Sequence, residues 1–127
     1  MQVETSLAAL RAELSRDDRD LRVYTDHEDR LIGWLSARMV ADEAELMEMV
    51  IAPEYRRRGL GGQMLDGLIQ RIGHGKGIVI HLEVRVTNVA AIALYESRSF
   101  ERVGMRRSYY ADGEDALVYS LGLTSLG

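Results

Sequence analysis

The middle of the chain carries an apolar segment, a helical stripe and a second apolar segment, in that order. Residues 45–51, ELMEMVI, and residues 78–86, IVIHLEVRV, each have the short apolar pattern of a strand. Between them, one helical face is apolar over residues 60–72 and collects Leu60, Met64, Leu65, Leu68, Ile69 and Ile72. Two strands joined by a helix form a crossover, so this pattern predicts a sheet with at least one parallel pair.

The flanking residues add hairpins to this crossover. Residues 21–26 and 30–40 are predicted to be strands joined by the polar turn DHED, and residues 100–107 and 116–123 to be two closing strands. We expect further helices over residues 5–15, and from a cap at Asn88 to residue 98. The predicted fold class is therefore α/β, a mixed central sheet flanked by helices. The length of 127 residues predicts a single domain spanning residues 1–127.

Composition excludes several classes of function. The chain has no cysteine, which removes disulfides, thiolate metal sites and a thiol nucleophile, and which fits a cytoplasmic protein. The net charge of -4 argues against a nucleic-acid partner. The sequence shows no secretory signal pattern and no apolar run near the ~20 residues of a membrane helix, so no membrane association is expected. His74 and His81 lack metal-ligand spacing, so no metal site is predicted.

Three arginines and three glycines crowd the segment RRRGLGG, residues 56–62, between the first strand of the crossover and its helix. The first N–H groups of a helix have no partners within it, and glycines let an anion approach them closely. The segment lacks the lysine and hydroxyl residue of a P-loop and the spacing of a dinucleotide fingerprint. It predicts a cradle for a phosphorylated carrier that is held without metal ligands, although the same string also suits a solvated turn before a helix.

Two motifs resemble a known family. RRRGLGG after VIAPEY resembles the pyrophosphate-binding motif of the GNAT N-acetyltransferases, which bind acetyl-coenzyme A. The segment from LEVRVTN through ALYES to RRSYYADGEDA is similar to the C-terminal half of the RimI-type protein N-terminal acetyltransferases of that family. The likeness covers residues 45–121 strongly and residues 21–40 in pattern. It implies the GNAT fold, acetyl-CoA as cosubstrate without a metal, and the N-terminal α-amine of a protein or peptide as acceptor. RimI itself modifies the N-terminal alanine of a small-subunit ribosomal protein.

The resemblance also implies roles for individual residues. Glu83 in LEVR is the implied base for the amine proton, and Tyr95 in ALYES is the implied acid for the departing thiolate. From the pattern alone, a strand glutamate paired with Arg85 and a core aromatic on a helix are the more frequent situations. The implied cofactor-binding residues are Met49, Val50, Ile51, Arg57, Arg58, Gly59, Leu60, Gly61, Gly62 and Asn88. Tyr109 and Tyr110, in an acidic loop, are the implied substrate-binding residues.

The chain departs from the family pattern in three places. The family usually has a further strand and helix before the part that is matched here. Either this segment is absent, or the given sequence starts late, or another chain covers the gap that the segment would fill. An uncovered sheet edge would favour a homodimer. Ser99 stands where the family has glycine, which costs stability if φ is positive there. RRSYY replaces RRNYY.

We therefore expect an acetyltransferase that acts on protein N-termini by direct attack in a ternary complex. Two alternatives stay open at this point. One is a noncatalytic acyl-CoA-binding module or sensor. The other is a small-molecule amine acetyltransferase.

Overall fold

The computed structural model describes residues 19–74 and 79–123, which form strands, two helices and a short 3₁₀ turn. The first three strands are β1 (Arg19–Thr25), β2 (Leu31–Val40) and β3 (Glu43–Ile51), followed by the 3₁₀ turn Pro53–Tyr55 and helix α1 (Leu60–His74). Strand β4 (Val79–Arg85), helix α2 (Val89–Ser97) and strands β5 (Glu101–Arg106) and β6 (Ala116–Gly122) complete the order. The helix expected over residues 5–15 lies outside the described residues.

The six strands form one mixed sheet in the order β1-β2-β3-β4-β6-β5. Strands β3 and β4 are parallel, and α1 connects them, whereas the other neighbouring pairs are antiparallel. The predicted crossover and both predicted hairpins are therefore confirmed. Strand β6 returns between β4 and β5, so the closing hairpin has β5 on the outer edge.

One face of the sheet packs against the apolar stripe of α1. The stripe supplies Met64, Leu65, Leu68 and Ile72, all of them buried. The sheet supplies alternate residues of its central strands, because side chains two apart in a strand share a face. These buried sheet residues are Leu35, Ala37, Ala44, Leu46, Ile80, Leu82, Val84, Leu117 and Tyr119.

Strand β4 follows the predicted alternation along its whole length. Ile80, Leu82 and Val84 are buried in the core, while His81 and Glu83 are only partly buried on the opposite face. The register places Glu83 beside Val118 of β6, and His81 beside Ser120. Glu83 therefore lies on the sheet face opposite the main core.

The parallel pair β3–β4 is short, and the two strands separate beyond it. They pair only where residues 43–45 face residues 79–81. Beyond that point β3 stays bonded to β2 as far as Ile51, and β4 stays bonded to β6 as far as Arg85. A V-shaped opening therefore forms between the carboxyl ends of the two strands, which we call the splay.

A bulge in β3 accompanies this separation. Ser36 pairs with Glu48, but the next residue, Ala37, pairs with Leu46, so Met47 has no partner in the register. An extra residue on one strand bends it and increases its twist. The bulge lies just past the last β3–β4 pair, where the strands begin to part.

The end of α2 is fixed by a tight turn into β5. Ser99 has a φ of 69°, so serine costs stability at this position, where the resembled family has glycine. The amide of Phe100 donates to the carbonyl of Tyr95 at 3.1 Å. The rings of Tyr95 and Phe100 then pack with their centroids 5.8 Å apart, which fixes the orientation of the tyrosine.

Candidate active site

The splay is lined by both residues predicted to carry the chemistry. Its cavity, the splay cleft, has a volume of about 240 Å³. The lining residues are Leu46, Met47, Glu48, Met49, Leu82, Glu83, Val84, Arg85, Asn88, Tyr95 and Tyr110. Strand β4 supplies Glu83 and helix α2 supplies Tyr95, so the structure brings the predicted base and acid to one opening.

Glu83 is largely shielded and carries an ion pair. Its side chain is 15% exposed, and Arg106 Nε lies 2.6 Å from Glu83 Oε2 as an ion pair. The strand-glutamate alternative predicted Arg85 as the partner, but Arg85 instead binds Asp112 and Glu114. The partner of Glu83 thus comes from β5, two strands away in the sheet.

Tyr95 is a buried residue, as an aromatic on the inner face of α2 would be, yet it also lines the splay cleft. Burial, with a smaller contribution from Tyr110, raises the pKa of Tyr95 to about 12. The phenol therefore keeps its proton at neutral pH and is a weaker acid than an exposed tyrosine.

The predicted glycine segment lines a second cavity, which we call the glycine cleft. Its volume is about 470 Å³, and it lies between the end of β3, the start of α1 and helix α2. The lining residues are Met49, Ile51, Tyr55, Arg56, Arg57, Gly59, Leu60, Gly61, Gly62, Ala90, Ala91 and Leu94. Met49 lines both cavities, so the glycine cleft and the splay cleft adjoin at that residue.

The first turn of α1 presents free amides to the glycine cleft. The amide of Gln63 makes the first helical hydrogen bond, to the carbonyl of Gly59 at 3.2 Å. The amides of Leu60, Gly61 and Gly62 come before it and have no carbonyl to bond within the helix. The first turn contains no acidic residue, so nothing offsets the positive end of the helix dipole there.

The glycines differ in what they leave room for. Gly59 has a φ of 76°, a backbone conformation that favours glycine whether or not there is room for a side chain. A Cβ on Gly61 would lie 3.5 Å from Leu94 Cδ2 and 3.9 Å from Met49 Cε, so packing does not demand glycine there. A Cβ on Gly62 would lie 2.3 Å from an Arg98 guanidinium nitrogen, so glycine at that position makes room for Arg98. Of these three glycines, Gly61 alone is required neither by a positive φ nor by a close contact.

The remaining predicted cofactor residues take varied positions. Arg57 is exposed and lines the glycine cleft with a φ of 64°. Arg58 stacks over the ring of Tyr55 at 5.2 Å and lines an adjoining cavity. Asn88 caps α2, as predicted, by accepting from the amide of Ala91 at 3.2 Å, and it also lines the splay cleft. Val50 pairs in register with Trp34 and lines neither the splay cleft nor the glycine cleft.

The acidic loop with the two tyrosines is ordered by hydrogen bonds to the end of β4. Arg85 donates to Asp112 at 2.9 Å and to Glu114 at 2.8 Å, and it lies 4.0 Å from the ring centre of Tyr110. The Thr87 hydroxyl also donates to Glu114. Hydrogen bonds from Thr87 and Arg85 lower the pKa of Glu114, and the amide of Glu114, followed by Arg85, lowers that of Asp112.

The two predicted substrate residues are therefore held differently. Tyr110 lines the splay cleft, and its ring meets that of Tyr109 edge to face with centroids 5.1 Å apart. Burial raises the pKa of Tyr110, so its hydroxyl stays protonated at neutral pH. Tyr109 is 48% exposed and is not among the residues that line the splay cleft.

A further cavity, the open-face cleft, lies over the paired part of β3 and β4, on the sheet face that carries His81 and Glu83. Its volume is about 360 Å³, and its lining residues are Val40, Glu43, Ala44, Glu45, His81, Leu82, Glu83, Arg106 and Val118. His81 lies 2.6 Å from both Ser120 Oγ and Glu43 Oε1. Glu83 and Leu82 line this cleft as well as the splay cleft.

Sequence reasoning missed three features of the site. Arg106 on Glu83 and Arg98 against Gly62 are contacts between elements distant in the chain, and no local pattern marks them. The bulge at Met47 had a signal, because the neighbouring apolar residues Leu46 and Met47 interrupt the alternation expected of a strand.

Neither a metal site nor a membrane-spanning helix is found in the part of the chain that the structure describes. Across residues 19–74 and 79–123, no three His, Asp or Glu side chains converge as metal ligands. Within the same ranges, no helix is both long and apolar enough to cross a membrane.

Comparison with known proteins shows the family. The model of the Acetyltransferase (GNAT) family matches residues 2–100. The [ribosomal protein bS18]-alanine N-acetyltransferase of Salmonella typhimurium is 37% identical over 113 residues, which cover 87% of this chain and 76% of that protein. The crystal structure of the ribosomal-protein-S18-alanine N-acetyltransferase from Escherichia coli has a TM-score of 0.82 at 34% identity, covering 91% of this chain and 76% of that one.

A more distant solved structure shares the fold. The putative streptothricin acetyltransferase from Bacillus anthracis, in complex with acetyl coenzyme A, has a TM-score of 0.76 at 22% identity. That match covers 88% of this chain and 66% of that one.

The mixed sheet, with strands that part at its centre beside a helix start, defines an α/β protein with a central cleft. The chain belongs to the GNAT acetyltransferase family, and it is an acetyltransferase. The predicted resemblance to the GNAT family and to its RimI-type members is thereby confirmed.

Proposed function

We propose that this chain transfers an acetyl group from acetyl-CoA to the N-terminal α-amine of a protein, by direct attack in a ternary complex. The observation that carries the proposal is that Glu83 and Tyr95 line one cleft, which opens where β3 and β4 part. A base and an acid at one opening are what transfer from a thioester to an amine requires. The relatives named for bS18-alanine N-acetylation support a protein N-terminus as acceptor.

The glycine cleft is the proposed seat of the cosubstrate, which supplies an activated acetyl thioester. The amides of Leu60, Gly61 and Gly62 would hold its diphosphate, with Arg57 and Arg58 adding positive charge nearby. The edge of β3 from Met49 to Ile51 that faces the splay would pair with its amide-containing arm, since among the described residues no strand lies beside that edge beyond Glu45. Asn88, which lines the splay cleft, would contact it further along.

Glu83 and Tyr95 are the proposed proton-transfer residues. An α-amine has a pKa near ~8, so part of it is neutral at physiological pH and a carboxylate suffices to accept its proton during attack. Glu83 takes that proton as the new N–C bond forms. Tyr95, which is protonated at neutral pH, gives its proton to the sulfur as the C–S bond breaks.

The acidic loop is the proposed contact for the first residues of the acceptor. Tyr110 lines the splay cleft and its ring meets that of Tyr109, so a peptide whose amine reaches Glu83 passes both rings. Asp112 lies 61% exposed on the same loop and adds negative charge that favours a cationic N-terminus. We further expect the enzyme to act in the cytoplasm, where ribosomal proteins are assembled.

The proposal is tested by acetyl transfer to a short peptide with a free N-terminal alanine, followed by thiol release and by mass spectrometry of the product. We expect acetylation of the α-amine and none at an internal lysine. Glu83→Gln and Tyr95→Phe should each lower kcat by roughly 10² or more, the range of general acid–base catalysis, with the affinity for coenzyme A retained.

Two results would contradict the proposal. Coenzyme A binding without turnover on any amine would favour a binding module instead. Faster turnover of polyamines or aminoglycosides than of any peptide would place the chain among small-molecule acetyltransferases. A Gln70→Ala variant serves as the control for variant preparation, because Gln70 lies on the exposed side of α1 away from the clefts described above. Its rate of acetyl transfer should match that of the unmodified chain.

A further inference from the structure

The carboxylate of the proposed base is already occupied by a cation from the same chain. Arg106 Nε forms an ion pair with Glu83 Oε2 at 2.6 Å, and the arginine side chain is 57% exposed while the glutamate side chain is 15% exposed. The exposed side chain of Arg106 therefore reaches the largely shielded carboxylate of Glu83. Ion pairs with a solvent-exposed partner contribute only about 0–1 kcal/mol, so another cation can replace this arginine at small cost.

The surroundings of this guanidinium suit an ammonium group. Arg106 lies 5.8 Å from the ring centre of Tyr109, and it lines the open-face cleft together with Glu43 and Glu45. A carboxylate combined with an aromatic face is a recurring seat for alkylammonium ions. His81 and Arg38 bind the carboxylates of Glu43 and Glu45, each at 2.6 Å, whereas the cation on Glu83 is Arg106.

We propose that Arg106 occupies the seat of the acceptor amine in the free enzyme, and that the acceptor amine displaces it from Glu83. This inference rests on the proposed function, because it takes Glu83 as the residue that receives the amine. Arg106 is in this view a competitor for the seat.

Displacement of Arg106 has a distinctive kinetic consequence. The competition weakens binding of every acceptor that uses Glu83, because each must break the same ion pair. Once the acceptor is bound, the arginine has left the carboxylate and no longer affects the chemical step. Loss of Arg106 should therefore lower KM for the acceptor and leave kcat unchanged.

The test compares Arg106→Gln with Arg107→Gln. Arg107 is the next residue, is exposed and gives the same change of charge. We expect Arg106→Gln to lower KM about twofold to fivefold for an alanine-starting hexapeptide and for alaninamide alike. Arg107→Gln should leave both values unchanged, and Arg106→Lys, which keeps a cation, should restore part of the original KM.

Other outcomes would overturn the inference. A fall in kcat with Arg106→Gln would make Arg106 a residue that positions Glu83. An equal fall in KM with Arg107→Gln would reduce the effect to overall charge. A rise in KM with Arg106→Gln would mean that the arginine attracts the acceptor.

A second measurement separates this inference from the proposed function. The Nε–H signal of Arg106 can be followed by NMR in the full chain saturated with coenzyme A while alaninamide is added. Without an acetyl donor no reaction occurs, so the readout reports only occupancy of the seat. We expect the signal to move and exchange faster with solvent, and an unchanged signal at saturating alaninamide would refute the displacement. If the chain transfers no acetyl group to any amine, the proposed function fails. The titration still decides whether an added amine displaces Arg106 from Glu83.

Discussion

Replacement of Gly61 by alanine separates the needs of the fold from those of the ligand. A Cβ at this position would meet Leu94 Cδ2 at 3.5 Å and Met49 Cε at 3.9 Å, both ordinary van der Waals distances. Because alanine is favoured over glycine within a helix, the change should stabilise the unliganded protein by roughly 0.5–1 kcal/mol. The melting temperature should then rise by about 2–6 °C for a domain of this size.

The same methyl group should weaken cofactor binding. Leu94 and Met49 both line the glycine cleft, so the new carbon enters the space in front of the first helical turn. A ligand atom in contact with the Gly61 backbone would have to retreat by roughly the ~1.5 Å of one carbon–carbon bond, which breaks hydrogen bonds to the free amides. We expect coenzyme A affinity to fall at least about tenfold, which corresponds to roughly 1.4 kcal/mol.

Gly73→Ala is the matched control for Gly61→Ala. Gly73 lies in the last turn of the same helix, and a Cβ there would meet no atom within 4 Å. The Gly73→Ala variant should also have a raised melting temperature, and its affinity for coenzyme A, measured by calorimetry, should be unchanged. If Gly61→Ala binds coenzyme A as tightly as the unmodified chain, the proposed cradle is wrong. If it melts at a lower temperature, the local packing argument is wrong.

Three further predictions concern stability and pH. Ser99→Gly should raise the free energy of unfolding by roughly 0.5–1 kcal/mol, because φ at this position is 69°. The melting temperature should rise with it, and an unchanged or lower melting temperature would contradict this prediction. Gly33→Ala should lower the free energy of unfolding in urea by more than about 1 kcal/mol, because its Cβ would lie 2.1 Å from the carbonyl oxygen of Val50. The pKa of Glu114 is lowered in the folded chain, so the stability that this carboxylate contributes is present above its unfolded pKa of about 4.3 and is lost as pH falls through its folded value. The ring signals of Tyr110, followed by NMR, should therefore keep their native positions at pH 7 and change only below about pH 4, and a change near pH 6 would refute the role of Glu114.

The strands and helices of the described residues could be predicted because their patterns are local. The alternation in β4 placed Glu83 on the face opposite Leu82, and the stripe of α1 fixed which side of the helix is buried. The Asn88 cap was predictable for the same reason, since an N-cap side chain bonds an amide three residues later. Each of these features depends on residues within one turn or a few positions of one another.

The partner of Glu83 could not be predicted, because it depends on strand order. Arg106 pairs in register with Ala116 on β6, and Ala116 pairs in register with Arg85 on β4. A small side chain at position 116 lets the arginine of β5 reach across β6 toward β4. No local pattern shows that β6 returns between β4 and β5, so Arg85, two residues away, looked the more natural partner.

The splay explains how one sheet can be stable and yet keep an opening at its centre. Strand β3 is bonded along its outer side to β2, and β4 along its outer side to β6, so only the inner edges lose partners where the two strands part. Buried backbone groups without partners are costly, and an extended ligand arm that carries amides can satisfy them. The bulge at Met47 turns the inner edge of β3 away from β4, and the crossover through α1 places free helical amides at the far end of that edge. The same arrangement leaves Glu83 at the point where the strands diverge, where its side chain lines both the splay cleft and the open-face cleft.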